Sequence, residues 1–182
     1  QTRRHPDQVL QFMLLRSPVS DKVYNVLFIC TGNSARSILA EGLMNHLGAG
    51  RFTAWSAGSH PNGTVNPFAL KTLATWHIPT DGFRSKGWHE FAKPGAPTLD
   101  FAFTVCDNAA GETCPLWPGR PMTAHWGVPD PAAVEGTDVL KAKAFMDTAI
   151  ILKRRIELML ALPLASLDRM ALQREIKDIG TR

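Results

Sequence analysis

The 182-residue sequence predicts an α/β fold of three layers, in which helices flank a four-stranded parallel sheet. Two observations carry that expectation. Short apolar runs alternate along the chain with segments whose apolar residues recur every three or four positions, and such alternation builds parallel sheets through helical crossovers. The first of these runs is apolar almost without a break, as in a strand covered on both faces. With 45% apolar and 20% charged residues, the chain can bury an ordinary core, and disorder throughout is excluded.

The elements follow in order. Residues 23–29 form the first predicted strand, which ends at Cys30. Thr31-Gly32-Asn33-Ser34 breaks it, and residues 38–47 read as a helix closed by Gly48. Residues 52–57 make a second strand, stopped by Gly58. Asn66 and Pro67, a cap residue and a proline suited to the first turn, open a helix that runs to Trp76. Residues 82–97 are loop-rich, with one helical turn near 88–91. Residues 101–106 and 122–126 supply the third and fourth strands. Thr137 caps a long helix with an apolar seam of Phe145, Ala149, Leu152, Ile156 and Met159, ended by Pro163. A last helix from about Asp168 carries Leu172, Ile176 and Ile179 before Gly180. There is no internal repeat. Residues 22–182 are expected to form one domain, with residues 1–21 as an extension of unknown role.

The net charge of +4 raises a nucleic-acid reading, so its location matters. Residues 1–25 carry four basic and two acidic side chains, and residues 150–182 carry seven and four. The body between has nine basic and ten acidic residues, which leaves no polyanion groove and no nucleic-acid partner. No apolar run spans a bilayer: the richest, 149–167, is interrupted by Lys153, Arg154, Arg155 and Glu157. Arg3 and Arg4 before the apolar residues 9–15 resemble a signal peptide only in outline, because no small-residue cleavage site follows and Arg16 comes next. Three cysteines, an odd number, speak against a disulfide-stapled secreted scaffold and for a reducing compartment, the cytoplasm.

In open α/β sheets the reactive groups gather at the carboxyl ends of the strands, where Cys30 and Cys106 both lie. Cys30-Thr31-Gly32-Asn33-Ser34-Ala35-Arg36-Ser37 places a thiol at a strand end and a guanidinium six residues on, at the opening of a helix. Such a loop turns its N–H groups inward as an anion nest, with the helix N-terminus behind it. Gly32 and Asn33 tolerate the positive φ that a tight nest needs. Arg36 offers a planar fork to two oxygens of a tetrahedral oxyanion. The same field is expected to lower the Cys30 pKa, and Ser37 is placed to donate a hydrogen bond to that sulfur when it leaves. The plain alternative is a buried cysteine ending a core strand.

This loop, with Ser56-Ala57-Gly58 after the second strand and Asp130-Pro131 late in the chain, resembles the low-molecular-weight protein tyrosine phosphatase family. Within it the sequence is most similar to the arsenate reductases recycled by thioredoxin, over roughly residues 22–145. The resemblance implies the phosphatase-like fold, arsenate as substrate, a place in arsenical resistance, and no tightly bound cofactor. It implies Cys30 as nucleophile, Arg36 and the loop as oxyanion holders, and Asp130 as general acid; read alone, Asp-Pro is a turn opener.

Phosphatase and reductase part at Cys106 and Cys114. A phosphatase resolves its intermediate with water, whereas a reductase must supply two electrons. The resemblance implies a relay in which Cys106 attacks Cys30, releasing arsenite, and Cys114 then attacks Cys106, exporting the disulfide to an external thiol reductant, thioredoxin or glutaredoxin. Seven residues separate Cys106 from Cys114 here, where six are common in the family. Zinc is excluded, since Cys-x7-Cys without a second pair lacks ligand spacing. The single tyrosine, Tyr24, speaks against an aromatic wall for a phenol ring, although Trp88, Trp117 and Trp126 are available to build one. His125 reads as a hydrogen-bonded structural residue. Some family members hold a monovalent cation, potassium here; the matching positions are Asn33, Glu41 and Ser56, and residues 85–90 offer no convincing acidic match. The rival readings are a phosphatase on the same scaffold and a non-catalytic oxyanion-binding module.

Overall fold

The computed structural model describes residues 22–182; residues 1–21, with the expectation of an N-terminal extension, lie outside the described residues. Four strands, β1 (Tyr24–Cys30), β2 (Phe52–Gly58), β3 (Phe101–Thr104) and β4 (Met122–His125), form one parallel sheet in the order β2-β1-β3-β4. β1 is central, and its last five residues are buried, which is why its sequence is apolar without alternation. The register sets Cys30 beside Gly58 and Ile29 beside Thr104.

Among the described residues there are five α-helices, and all but the third follow sequence signals. α1 (Arg36–Leu47) opens directly behind the Cys30 loop. α2 (Pro67–Thr75) is capped by Asn66, whose side chain accepts from the Phe68 N–H. α3 (Asp107–Ala110) is a single turn, α4 (Asp138–Leu160) is capped by Thr137, and α5 (Arg169–Ile179) by Asp168. The turn near residues 88–91 is a 3-10 helix, Trp88–Ala92. α1, α2 and α4 pack on one another, and α5 packs on β4 and α4. The α4 seam of Phe145, Ala149, Leu152, Ile156 and Met159 is wholly buried.

β3 is two residues shorter than its apolar run. Val105 still donates to the Ile29 carbonyl, but Cys106 already stands at the N-cap of α3. Helix therefore begins where the sheet ends, and Asp107 takes its first turn. Around the C-terminal half of the sheet, Phe103 stacks on Trp126 at 4.1 Å between ring centroids, with Phe28 against both. Among the described residues, no helix is long and apolar enough to cross a membrane.

Candidate active site

The Cys30–Ser37 loop is held from outside by its own carbonyls. Cys30 O accepts from Ser59 N–H at 3.2 Å, Thr31 O from His60 N–H at 2.9 Å, Gly32 O from Asn62 N–H at 3.0 Å, and Ser34 O from Asn66 N–H at 2.9 Å. In planar trans peptides, carbonyls fixed on one side turn the following N–H groups, those of Thr31, Gly32, Asn33 and Ala35, to the other. An anion nest is thus built by the residues that follow β2. Asn33 sits at φ 46°, the strained conformation that asparagine tolerates; Gly32 has an ordinary φ. Its amide donates to Ser37 Oγ (2.8 Å) and Ser56 Oγ (2.9 Å), and its Oδ1 accepts from Lys86 N–H (2.9 Å). Ser37 is fully buried, and its Oγ accepts from the Asn33 amide.

Gly58 makes the close approach that the loop requires. A Cβ there would lie 2.5 Å from Thr31 O and 3.0 Å from Asn33 N, so no side chain fits.

All three cysteines are free, with Cys30 and Cys106 buried and Cys114 exposed. The Cys30 and Cys106 thiols are close enough to interact, and Thr31 Oγ1 lies 3.4 Å from Cys106 Sγ. The interaction with Cys30 pushes Cys106 down to about 5, helped by Thr31 and Arg36, while that same interaction and burial push Cys30 up. The lowered pKa expected at Cys30 is corrected: it falls on Cys106, while Cys30 is raised, because two thiols beside one guanidinium titrate as a pair in which the first ionisation is easy and the remaining, shared proton is held.

Arg36 reaches across the nest to the β4 exit. Its Nη1 donates to Val128 O at 3.2 Å, and Nη2 lies 3.7 Å from Asp130 Oδ2. Asp130 is partly exposed, and its Oδ1 accepts from Ala132 N–H, capping a 3-10 turn at Pro131–Ala133. The turn expected of Asp-Pro and the side chain proposed from the family resemblance as an acid are therefore one structure.

A chain of polar side chains stands behind the loop. The Glu41 carboxyl is bonded by Ser56 and lies 3.9 Å from Lys86 Nζ, with both side chains nearly out of solvent. Burial pushes Glu41 up to about 7 although Lys86 and Ser56 pull it down. The expectation of potassium at Asn33, Glu41 and Ser56 is corrected here: Asn33 turns its amide donors to Ser37 and Ser56, and the Lys86 ammonium already supplies the cation beside Glu41. These side chains do not fit a resident potassium ion. Among the described residues, no group of three His, Cys, Asp or Glu side chains is arranged to hold a metal.

Sequence reasoning missed Lys86, Glu112 and Arg155. Glu112, between the outer cysteines, accepts from Ser59 Oγ at 2.9 Å. Arg155, noted only as a charge interrupting α4, is buried and donates to Trp126 O and Gly127 O. His125 is structural as expected, bonded to Thr104 Oγ1 and Asp107 Oδ1 at 2.8 Å each. Trp88, Trp117 and Trp126 are buried, so none of them walls a phenol-binding cleft.

The family model described as low molecular weight phosphotyrosine protein phosphatase matches residues 25–171. The chain belongs to that family. Curated relatives in it are arsenate reductases: that of Halalkalibacterium halodurans is 34% identical over 132 residues, covering 72% of this chain and 91% of its own. That of Shouchella clausii is 38% identical over 112 residues, covering 62% and 77%. Among solved structures, an arsenate reductase in its phosphate-binding state superposes with a TM-score of 0.58 at 26% identity, over 76% of this chain and 97% of that one. A low molecular weight protein tyrosine phosphatase from T. tengcongensis gives 0.58 at 24% identity, over 76% and 99%, which establishes the shared fold.

Proposed function

We propose that this arsenate reductase works by a three-thiol relay. The observation that carries the reading is the placing of the sulfurs: Cys30 and Cys106 in contact under the anion nest, and Cys114 in solvent. Arsenate is held by the N–H groups of residues 31–37 and by Arg36. When the shared proton sits on Cys106, the Cys30 thiolate attacks arsenic, and an arsenate hydroxyl leaves as water with a proton from Asp130. Cys106 then gives up its proton and, as thiolate, attacks Cys30 Sγ. The sulfur–arsenic pair of electrons passes to arsenic, arsenite departs, and a Cys30–Cys106 disulfide remains. Cys114 next attacks Cys106, which frees Cys30 as thiolate and leaves a Cys106–Cys114 disulfide. An external dithiol protein of the thioredoxin kind returns the two electrons from the reducing cytoplasm.

Two observations favour reduction over phosphoester hydrolysis. Water suffices to resolve a phosphocysteine, so a second buried thiol against the nucleophile has no use there. The buried tryptophans also leave no aromatic wall for a phenol. One solved relative at 25% identity is an arsenate reductase in an oxidized state, with a TM-score of 0.59. Residues 22–182 serve as a single reductase domain.

The test is arsenate-dependent NADPH consumption with thioredoxin and its reductase, run beside aryl-phosphate hydrolysis. Cys114→Ser is expected to release one arsenite per chain and stop. Asp130→Asn keeps an acceptor for the Ala132 N–H and loses only the proton, so kcat should fall about 10²-fold. Rapid aryl-phosphate turnover without arsenate reduction would replace this reading with the phosphatase.

A further inference from the structure

One carboxylate ties the segment between Cys106 and Cys114 to the loop that supports the nucleophile. Glu112 Oε1 accepts from Ser59 Oγ at 2.9 Å, and Glu112 Oε2 lies 3.5 Å from His60 Nδ1. The backbone at these two residues is in turn bonded to the catalytic loop, through Ser59 N–H to Cys30 O and His60 N–H to Thr31 O. Glu112 is half-buried there, two residues before Cys114.

Cys114 and Cys106 have different surroundings: the exposed Cys114 directs its S–H at the Glu112 carbonyl at 3.9 Å, whereas Cys106 is buried beside Thr31 and Cys30. Cys114 must leave that contact and reach the buried Cys106 sulfur before it replaces Cys30 as its partner, and this requires residues 107–113 to move. The tie nearest to Cys114 is Glu112. Its charge, added to burial, also pushes the Cys114 thiol up, which keeps the attacking thiolate scarce while the tie is closed.

We infer that Glu112 is a positioning residue: by gripping Ser59 and His60 it fastens the reduced segment, and its release sets how readily Cys114 takes over the disulfide. This rests on the relay proposed above. The seven-residue spacing gives the tie a purpose, because a longer segment has more loose conformations to suppress.

The experiment compares Glu112→Ala, Ser59→Ala and the double variant in the full chain. Both single changes leave the Ser59 and His60 backbone bonds in place. In a Cys30→Ser background, the Cys106–Cys114 pair is equilibrated with reduced and oxidised dithiothreitol, which exchanges two electrons with it, and the disulfide is counted by alkylation and peptide mass. Each single variant is expected to move the equilibrium toward the disulfide by roughly three- to tenfold. The double variant moves it no further than the larger single one. In chains that retain Cys30, single-turnover arsenite release, which uses only Cys30 and Cys106, should stay within about twofold. An unmoved equilibrium, or additive shifts in the double variant, overturns the tie while the relay stands. A Cys106–Cys114 disulfide that never forms in the unmutated chain after arsenate overturns the relay, and the tie with it.

Discussion

Lys86 Nζ lies 3.9 Å from Glu41 Oε1, behind the catalytic loop and almost out of solvent. The amine also donates to the Arg84 carbonyl at 3.1 Å, and the Lys86 N–H to Asn33 Oδ1 at 2.9 Å. One residue therefore supplies both a cation for the buried carboxylate and a backbone clamp for the strained Asn33. The expected outcome is that exchanging potassium for choline at constant ionic strength leaves kcat/KM for arsenate unchanged. Lys86→Met should strand the carboxylate and cost about 3 kcal/mol at neutral pH, read by urea denaturation. A potassium requirement in the unmutated chain would refute the assignment of Lys86 as the resident cation.

The same pair makes stability depend on pH in a definite direction. Burial raises the Glu41 carboxyl from the ordinary 4.5 to about 7, so between those values the folded chain keeps a proton that the unfolded chain has lost. Stability contributed by this group is present below 4.5 and is lost as pH rises through 7, by about 3 kcal/mol at most. The melting temperature followed across that window should fall in the unmutated chain and fall less in Glu41→Gln. Equal slopes would remove Glu41 as the source.

The sulfur pair gives a sharper test. The interaction with Cys106 is the largest influence raising Cys30, while Arg36 and the Thr31 N–H lower it. In Cys106→Ala the largest raising influence goes, while burial and the lowering influences of Arg36 and Thr31 stay, so the Cys30 pKa should drop below its value in the intact pair. Iodoacetamide alkylation of Cys30 against pH, followed by peptide mass, reads this directly. An unchanged profile would show that the two thiols do not share a proton.

The sequence carried much of this architecture because the signals were local. Asn66, Thr137 and Asp168 cap the helices they were expected to start, and the apolar runs fall on β1 and β2 within a residue. The nest was legible for the same reason, since a strand end, an asparagine at positive φ and a helix start lie within eight residues. The packing role of Gly58 was not legible, nor were Lys86 and Glu112. Each acts on a partner that is distant in sequence: Thr31 on Gly58 through parallel register, Asn33 on Lys86 from 53 positions away, and Ser59 on Glu112 from 53 as well. A lysine in a loop or a glutamate between cysteines carries no mark of the neighbour that the sheet will bring to it.

Arg155 closes the other side of the site from within α4. Its Nη1 donates to Trp126 O at 2.8 Å and to Gly127 O at 3.0 Å, and its Nε to Arg182 O at 3.0 Å. Two residues beyond Gly127, the chain turns through Pro129 to Asp130, and Val128 O takes the Arg36 fork. The backbone that leads to Asp130 thus hangs from a buried guanidinium, which burial pulls down in pKa without making it neutral. Arg155→Leu leaves three carbonyls without their donor and should cost about 2–4 kcal/mol in urea denaturation. Arg155→Lys keeps the charge but cannot span three carbonyls, so it should recover less than half of that loss. If the Asp130 loop depends on this bond, single-turnover arsenite release will slow in both variants by more than their arsenate affinity falls. A loss of stability with an unchanged chemical step would leave Arg155 as a core tie alone.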